Sequence, residues 1–258
     1  MSSEIRLTQS IAAPRSRIWR ACSSAQGMTG WQADEASGEV AAGSMLELRW
    51  PALGVELSLG VLEVVPERRV VLAKGATRVV LELDDHGVSL THTGVGDGDE
   101  REGVSSSWQL SLGLLMHHCE THADSARNVR WLMRPARTNT DTAHVFFTDP
   151  DALATWLGRG NGLGAAGSRF RLDLGAGETM SGRVLSHAPG RDLALSWDED
   201  DQSAVVLRTL PQPFEPGVRL VVLSYSRWGE RPATEARLGL LEAAHHRLIR
   251  VLDGERSA

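Results

Sequence analysis

The sequence predicts an α+β protein made of two tandem copies of one domain, each a curved antiparallel β-sheet wrapped around a long C-terminal α-helix. Three observations predict this fold class. The chain has 258 residues, more than one average domain needs. A set of motifs in the first half recurs in the second half. Each half ends in an amphipathic helical stretch that follows a series of short alternating segments. The predicted domains are residues 1–125 (copy one) and 126–258 (copy two).

The repeat is visible as four segments that return in the same order. They are Met28–Trp31 as Leu153–Trp156, Gly43–Leu48 as Gly167–Leu172, Val61–Leu72 as Val184–Leu195, and Leu90–Thr93 as Leu223–Ser226. The offset is 123 to 125 residues for the first three pairs and 133 for the last, which predicts an insertion around Pro211–Gly217. Preserved order is what a gene duplication requires.

The periodicity of copy one predicts its elements in order. Residues 4–11 alternate as a strand, Pro14 marks the start of a helix over residues 15–23, and a short second helix ends near Trp31. Five further strands are separated by Gly, Pro and Asp turns: residues 43–50, 55–64, 69–74, 78–83 and 88–93. Strands in such close succession predict an antiparallel meander.

Both copies are predicted to close with a long helix. In copy one it covers residues 104–121, with Trp108, Leu112, Leu115, Met116 and Cys119 on one face. Copy two begins with a strand over residues 128–135 and a helix over residues 143–147, with Thr138 or Asn139 as the N-cap. Its closing helix is predicted to start at Glu230–Pro232 and to present Leu238, Leu241, Leu248 and Leu252.

Composition excludes several classes of function. The net charge is −6 and Lys74 is the only lysine, so no basic stripe is predicted to bind nucleic acid. No segment has the 18 or so apolar residues of a membrane span, and residues 1–6 lack the apolar stretch of a signal peptide. Cys22 and Cys119 lie in apolar helical contexts typical of buried thiols. We therefore expect a cytoplasmic protein with no membrane and no nucleic-acid partner.

Four motifs of copy one carry a resemblance to a known family: Ile11–Ala21, Gly60–Val71, Leu90–Gly94 and Ser107–Glu120. With the element order above, they resemble the START-like (SRPBCC) superfamily and, within it, the family named for the activator of heat-shock protein 90 ATPase. The resemblance covers nearly all of copy one and a divergent copy two, which lacks the tryptophan at the head of its last helix. It implies the helix-grip fold in both copies.

The resemblance also implies a cavity between the sheet and the last helix, used in this superfamily for hydrophobic small molecules or remodelled for protein contacts. The candidate lining residues of copy one are Trp31, Met45, Leu48, Trp50, Leu59, Leu81, His92, Trp108, Leu112 and Leu115. Those of copy two are Trp156, Phe170, Leu172, Met180, Trp197, Tyr225 and Leu241. The alternative is that these side chains simply fill two cores, because protein interiors are close-packed.

Two motifs suggest cofactor or metal chemistry, and their context argues against both. Gly162–Gly167 matches G-x-G-x-x-G, but a helix is predicted before it and a strand after it, the reverse of a dinucleotide site. His118 and His122 are one helical turn apart, yet no third zinc ligand is evident. We interpret them as solvated histidines or histidines favoured by the helix C-terminus. No cofactor and no metal ion are predicted.

Polar groups complete the candidate sites. His92 and Tyr225, on matching strands, are candidates to orient a polar ligand group, and Arg227 or Arg237 to neutralise a carboxylate. Outward-facing strand residues are the alternative for each. The acidic runs 97–100 and 198–201 lack calcium-loop spacing and are interpreted as solvated turns.

The functional hypothesis is a non-enzymatic binding protein that holds an apolar small molecule or contacts a partner protein. No catalytic motif is found, so no catalytic residue is predicted. One alternative is a cyclase- or hydrolase-like enzyme that uses His92, Tyr225 or a cavity arginine, and would need several titratable groups to converge in a pocket. A second is a structural tandem with filled cores and no ligand. The sequence does not identify the ligand or the oligomeric state.

Overall fold

The computed structural model describes residues 3–212, 215–230 and 233–254. The chain divides into two compact units, Met1–Arg127 and Asn128–Ala258. Within the described residues each unit contains a seven-stranded antiparallel sheet and three α-helices, and the first also has a short 3-10 helix, Pro51–Leu53. The predicted α+β class, with one curved antiparallel sheet and one long C-terminal helix per copy, is confirmed.

Copy one has the strand order β1-β7-β6-β5-β4-β3-β2. Its strands are β1 (Ser3–Ser10), β2 (Glu35–Gly38), β3 (Met45–Trp50), β4 (Val55–Val65), β5 (Arg69–Lys74), β6 (Thr77–Leu83) and β7 (Gly87–Val95). Its helices are α1 (Arg15–Cys22), α2 (Ala25–Thr29) and α3 (Asp99–Thr121). The edge strand β2 was not predicted, because four residues with two small side chains carry little periodicity.

Copy two repeats this topology in the order β8-β14-β13-β12-β11-β10-β9. Its strands are β8 (Arg127–Arg137), β9 (Arg159–Gly160), β10 (Arg169–Gly175), β11 (Glu178–Ala188), β12 (Asp192–Trp197), β13 (Ser203–Pro211) and β14 (Val218–Trp228). Its helices are α4 (Thr140–Thr148), α5 (Pro150–Trp156) and α6 (Glu235–Leu252). The predicted insertion Pro211–Gly217 joins β13 to β14, and its residues 213–214 lie outside the described part of the chain.

The starts of the two long helices differ from prediction. Helix α3 begins at Asp99, so two residues of the acidic run 97–100 belong to its first turn and the prediction of a solvated turn was wrong there. Acidic side chains are favourable at that position because they face the positive end of the helix dipole. Helix α6 begins at Glu235, after the N-cap Thr234. Of the predicted start, Glu230 precedes the helix and residues 231–232 lie outside the described residues.

The duplication extends to individual hydrogen bonds. The Trp31 indole donates to the Ala21 carbonyl at 3.0 Å, and the Trp156 indole donates to the Phe146 carbonyl at 2.8 Å, 125 residues further on. The entry to β3 and the entry to β10 are closed by the same backbone bonds to β4 and β11. Strands β4 and β11 also share an irregularity, after Val61 and after Val184. Such shared details are what a duplication predicts.

The strand registers place His92 and Tyr225 at equivalent positions, since His92 pairs with Val79 and Tyr225 pairs with Val205. The hairpin beside them differs between the copies. Residues 75–76 form the whole loop between β5 and β6, whereas residues 198–202 join β12 to β13. Copy two therefore carries extra loop residues next to its equivalent of His92.

A cross-strand ion pair is also kept in both copies, with its charges exchanged. In copy one Arg69 on β5 faces Glu82 on β6, with Nη1 and Oε1 3.1 Å apart. In copy two Asp192 on β12 and Arg208 on β13 lie next to the Leu193–Leu207 pair, with Oδ1 and Nε 3.3 Å apart. The position is the same, but the acid and the base have changed strands.

Candidate functional site

The inner face of the copy-one sheet is partly accessible at one end. Alternation of side chains places Leu46, Leu48 and Trp50 of β3 on this face, and the register aligns Leu57 and Thr77 with it. Near the middle of the sheet the inner residues are buried, but towards the β3–β4 and β5–β6 hairpins they become half-buried. We call this set the mouth: Trp50, Leu57, Thr77, His92 and Trp108 are all half-buried.

A hydrogen bond joins the sheet to helix α3 within the mouth. The Trp108 indole N–H donates to Nδ1 of His92 at 2.9 Å, and the two rings meet edge to face. Because an indole nitrogen can only donate, Nδ1 of His92 must be unprotonated in the neutral ring, so the hydrogen resides on Nε2. Burial lowers the pKa of His92, which favours this neutral form at physiological pH. His92 therefore offers one N–H donor, fixed in direction by Trp108.

Most predicted lining residues of copy one lie inside, with one exception. Trp31, Leu48, Leu59, Leu81, Leu112 and Leu115 are buried. Met45 is 51% exposed, so its placement on the inner face was wrong. Neighbouring side chains along a strand point to opposite faces, and because Leu46 and Leu48 point inward Met45 must point outward.

In copy two all the predicted lining residues are buried, and they belong to one core. These are Trp156, Phe170, Leu172, Met180, Trp197, Tyr225 and Leu241. The end that corresponds to the mouth is covered by the copy's own side chains. Arg237 of α6 stacks on the Trp197 ring at 4.2 Å and pairs with Glu178 at 2.8 Å. Arg237 therefore already contacts a carboxylate and an aromatic ring of its own copy.

A buried polar cluster surrounds Tyr225, the equivalent of His92. The Tyr225 hydroxyl and the Ser203 hydroxyl both donate to Oδ2 of Asp200. Arg227 lies 3.5 Å from Oδ1 of Asp200 and donates to Asp201 at 2.6 Å. Burial raises the pKa of Tyr225, and the hydrogen bond to Asp200 raises it further, so this phenol stays protonated. The candidate ligand groups Tyr225 and Arg227 are therefore engaged inside copy two.

Asp200 is the main residue of this cluster that the sequence did not identify. The run 198–201 was interpreted as a solvated turn, and that was wrong for Asp200, which is only 9% exposed. The longer hairpin brings it inward, with Asp201 and Gln202 both at positive φ. Two successive non-glycine residues in the left-handed region form a tight, strained turn, and this backbone conformation cannot be read from the sequence.

His118, near the end of α3, is not solvated as predicted, whereas His122 is half-buried. His118 is 5% exposed, and its ring packs directly over Gly30, where a side-chain carbon would approach within 2.5 Å. Burial, followed by the nearby charges of His122 and Arg127, lowers the pKa of His118 to about 4. A cationic, dipole-stabilised His118 is therefore excluded at neutral pH. Cys119 beside it is buried as expected, and burial raises the pKa of its thiol to about 12.

We expect acid to destabilise copy one through His118. Its pKa is near 6.5 in the unfolded chain and about 4 in the folded one, so the folded state resists protonation. The stabilisation is complete above the unfolded pKa and is lost as the pH falls towards the folded one. It should amount to about 3 kcal/mol between pH 7 and pH 4. Urea unfolding at both pH values should show this loss in the native chain and a smaller loss in His118→Leu; equal losses in both would contradict it.

Two surface pockets lie elsewhere. A pocket of about 450 Å³ is lined in copy one by Arg15, Arg68 and Arg69 with Glu82 and Asp84. A pocket of about 350 Å³ in copy two lies beside Trp156, the one predicted lining residue that either pocket contains. In copy two, residues 162–167 form the loop between β9 and β10, so the rejection of a dinucleotide site is supported by the fold.

Two kinds of feature are absent from the residues that the structure describes. Within residues 3–212, 215–230 and 233–254, no three His, Cys, Asp or Glu side chains are grouped to hold a metal ion. In the same ranges no helix combines the length and apolar character needed to cross a bilayer. The cytoplasmic location inferred from the sequence stays a prediction.

Copy one matches the model of a known protein family. Residues 12–120 match the model of a family described as "Activator of Hsp90 ATPase homolog 1-like protein". The family resemblance of copy one is confirmed. The match spans α1 to α3 and includes the His92–Trp108 pair. No curated protein matches the sequence.

Solved structures similar to the chain match either nearly all of it or about half of it. DynU16, a protein from the dynemicin biosynthetic locus, is 17% identical, with 98% of this chain and 95% of that one covered and a TM-score of 0.41. CalU16 from Micromonospora echinospora is 24% identical over 52% of this chain and 86% of that one, with a TM-score of 0.41. The Aha1 dimer from Colwellia psychrerythraea is 20% identical over 46% and 96%, with a TM-score of 0.40.

Proposed function

We propose that this chain is a binding protein whose copy one holds an apolar small molecule at the mouth, and whose copy two is a filled structural domain. One observation carries this proposal. The inner-face residues Trp50, His92 and Trp108 are half-buried, whereas their surroundings in copy two are closed by Asp200 and Arg237. Partly accessible tryptophans on the inner face of the sheet supply the apolar contact area typical of small-molecule sites.

His92 adds one polar requirement to this site. Its Nε2–H is aimed by the Trp108 bond, and among the residues that the structure describes no acceptor is placed on it. A ligand that buries this donor without replacing its bond to water would lose affinity. The site therefore favours a mostly apolar molecule with one hydrogen-bond acceptor, such as an aromatic ketone.

The loop length in each copy supports this division of roles. In copy one the two-residue hairpin at residues 75–76 contains no acidic side chain, whereas the longer hairpin of copy two delivers Asp200 to Tyr225. Asp200 thus occupies in copy two the place that a ligand acceptor would take beside His92 in copy one.

The test uses two probes of nearly equal size, 2-acetylnaphthalene and 2-ethylnaphthalene, titrated into the full chain while tryptophan fluorescence is followed. The native chain should bind the ketone about threefold to tenfold more tightly, the value of one hydrogen bond. His92→Leu should bind both probes equally well, because it keeps the apolar site and removes the donor.

Tyr225→Phe is the matched control in copy two, since it removes the equivalent polar group from a filled core. Its probe affinities should equal those of the native chain. The proposal is wrong if the native chain binds neither naphthalene, or if Tyr225→Phe and not His92→Leu abolishes the preference for the ketone.

A further inference from the structure

Two histidines of copy two face each other away from the sites described above. His144 lies on α4 and His187 on β11, and their Nε2 atoms are 3.0 Å apart. The rings are nearly parallel, at 28°, and both side chains are half-buried. The residues at the equivalent positions of copy one are Trp19 and Val64, so the pair is specific to copy two.

The contacts of His187 define where its lone pair points. Its Nδ1 lies 2.8 Å from the Gly164 carbonyl oxygen. Because a carbonyl can only accept, Nδ1 carries the hydrogen, and the lone pair of the neutral ring is on Nε2, which faces His144. Metal-bound histidines usually have this arrangement, with the second ring nitrogen oriented by a carbonyl or a carboxylate. The loop 162–167 thus has a structural role that its glycine pattern did not indicate.

The separation of the two nitrogens suits a shared metal ion. Zinc–imidazole bonds are about 2.0–2.1 Å long, so two such ligands at 90–110° are separated by about 2.9–3.4 Å. The observed 3.0 Å lies within this range. Without a metal ion, the same distance fits a hydrogen bond in which Nε2–H of His144 donates to Nε2 of His187, and a metal ion would replace that proton as Nδ1 of His144 takes up a hydrogen.

The surrounding charges are compatible with a cation. Asp141, three residues before His144 on α4, and Asp192 at the start of β12 both act to raise the pKa of His144, so both favour positive charge near its ring. Burial and His187 lower it, with burial the larger effect. Asp192 is also paired with Arg208, which balances part of its charge. Among the carboxylates of the described residues, these two are the ones that act on His144.

We propose that His144 and His187 form a two-histidine binding site for a divalent transition metal ion such as Zn²⁺, Ni²⁺ or Cu²⁺. Imidazole nitrogen is a preferred ligand for these ions, whereas Mg²⁺ and Ca²⁺ prefer oxygen. The protein supplies two ligands, and since both rings are half-buried, water completes the coordination sphere. The site is independent of the mouth of copy one.

The test is isothermal titration of the metal-free full chain with Ni²⁺ at neutral pH, together with electron paramagnetic resonance of the Cu²⁺ form. One equivalent should bind, and the Cu²⁺ spectrum should show coupling to two nitrogens. His144→Phe and His187→Phe should each weaken binding at least tenfold, whereas the exposed His246→Ala in the same copy should leave it unchanged.

Circular dichroism checks that each variant is folded. If His187→Phe does not fold, the polar variant His187→Gln replaces it. The proposal is overturned if the native chain takes up no Ni²⁺, if His246→Ala removes the binding, or if the Cu²⁺ spectrum of the native chain is unaltered in the His144→Phe and His187→Phe chains.

Discussion

Replacement of Asp200 by alanine is expected to lower the free energy of unfolding of copy two by about 3 kcal/mol. The Asp200 carboxylate accepts hydrogen bonds from Tyr225 and Ser203 and lies beside Arg227, and all of these side chains are buried. Without it, two buried hydroxyl groups and part of a buried guanidinium lose their partner. Hydrogen exchange followed by mass spectrometry on peptides of β12 to β14 would assign the loss to this copy.

Asp201 provides the matched control for this prediction. It also binds Arg227, but its side chain is 61% exposed. Exposed ion pairs contribute about 0–1 kcal/mol, so Asp201→Ala should be several times less destabilising than Asp200→Ala. Equal losses in the two variants would show that burial of the cluster does not determine its contribution.

Replacement of Arg127 by methionine should destabilise copy one by about 2–4 kcal/mol. Arg127 donates to the carbonyls of Trp31 and Ala33, at 3.1 and 3.0 Å, with Asp34 nearby. Burial lowers its pKa to about 10, which reflects how completely this guanidinium is removed from water. Methionine fills a similar volume but donates to neither carbonyl and removes the positive charge beside Asp34. Thermal unfolding of the full chain, with exchange on peptides of α2, measures the effect.

Copy two contains a counterpart that serves as the comparison. Arg247 of α6 donates through Nε to the carbonyl of Trp156, the equivalent of Trp31, at 2.9 Å. It donates to one carbonyl whereas Arg127 donates to two, so Arg247→Met should cost about 1 kcal/mol. If Arg247→Met is the more damaging of the two, the number of capped carbonyls is not what determines stability at this helix end.

The sequence was sufficient for the fold because the repeat is recorded in positions that the backbone requires. Three features recur in both copies: the tryptophan at the end of the second short helix, the glycine and serine before β3 and β10, and the irregular strand that follows. The first two keep the same hydrogen bonds, and the third keeps its register shift at the equivalent residue. Such positions are set by local geometry, which a single chain reveals through its spacing. The alternation of side chains along a strand also excludes Met45 from the interior, because Leu46 and Leu48 point inward.

The candidate sites were less predictable than the fold, because each depends on residues that are far apart in the chain. Nothing near His144 indicates that His187 lies against it, 43 residues away. The inward turn of Asp200 depends on a hairpin that is longer than its copy-one equivalent, and periodicity does not report where a loop side chain points. The half-burial of Trp50 and Trp108 likewise depends on contacts with distant parts of the chain, Gln32 for Trp50 and His92 for Trp108, and no local pattern encodes them.

The exchanged ion pair limits how the two halves can recombine. A crossover that replaced β5 by β12 while keeping β6 would set Asp192 against Glu82, and the reciprocal product would set Arg69 against Arg208. Like charges directly opposite on neighbouring strands are destabilising. Each hairpin is therefore most stable when both of its strands come from the same half of the chain, which makes β5–β6 and β12–β13 units that exchange only as a whole.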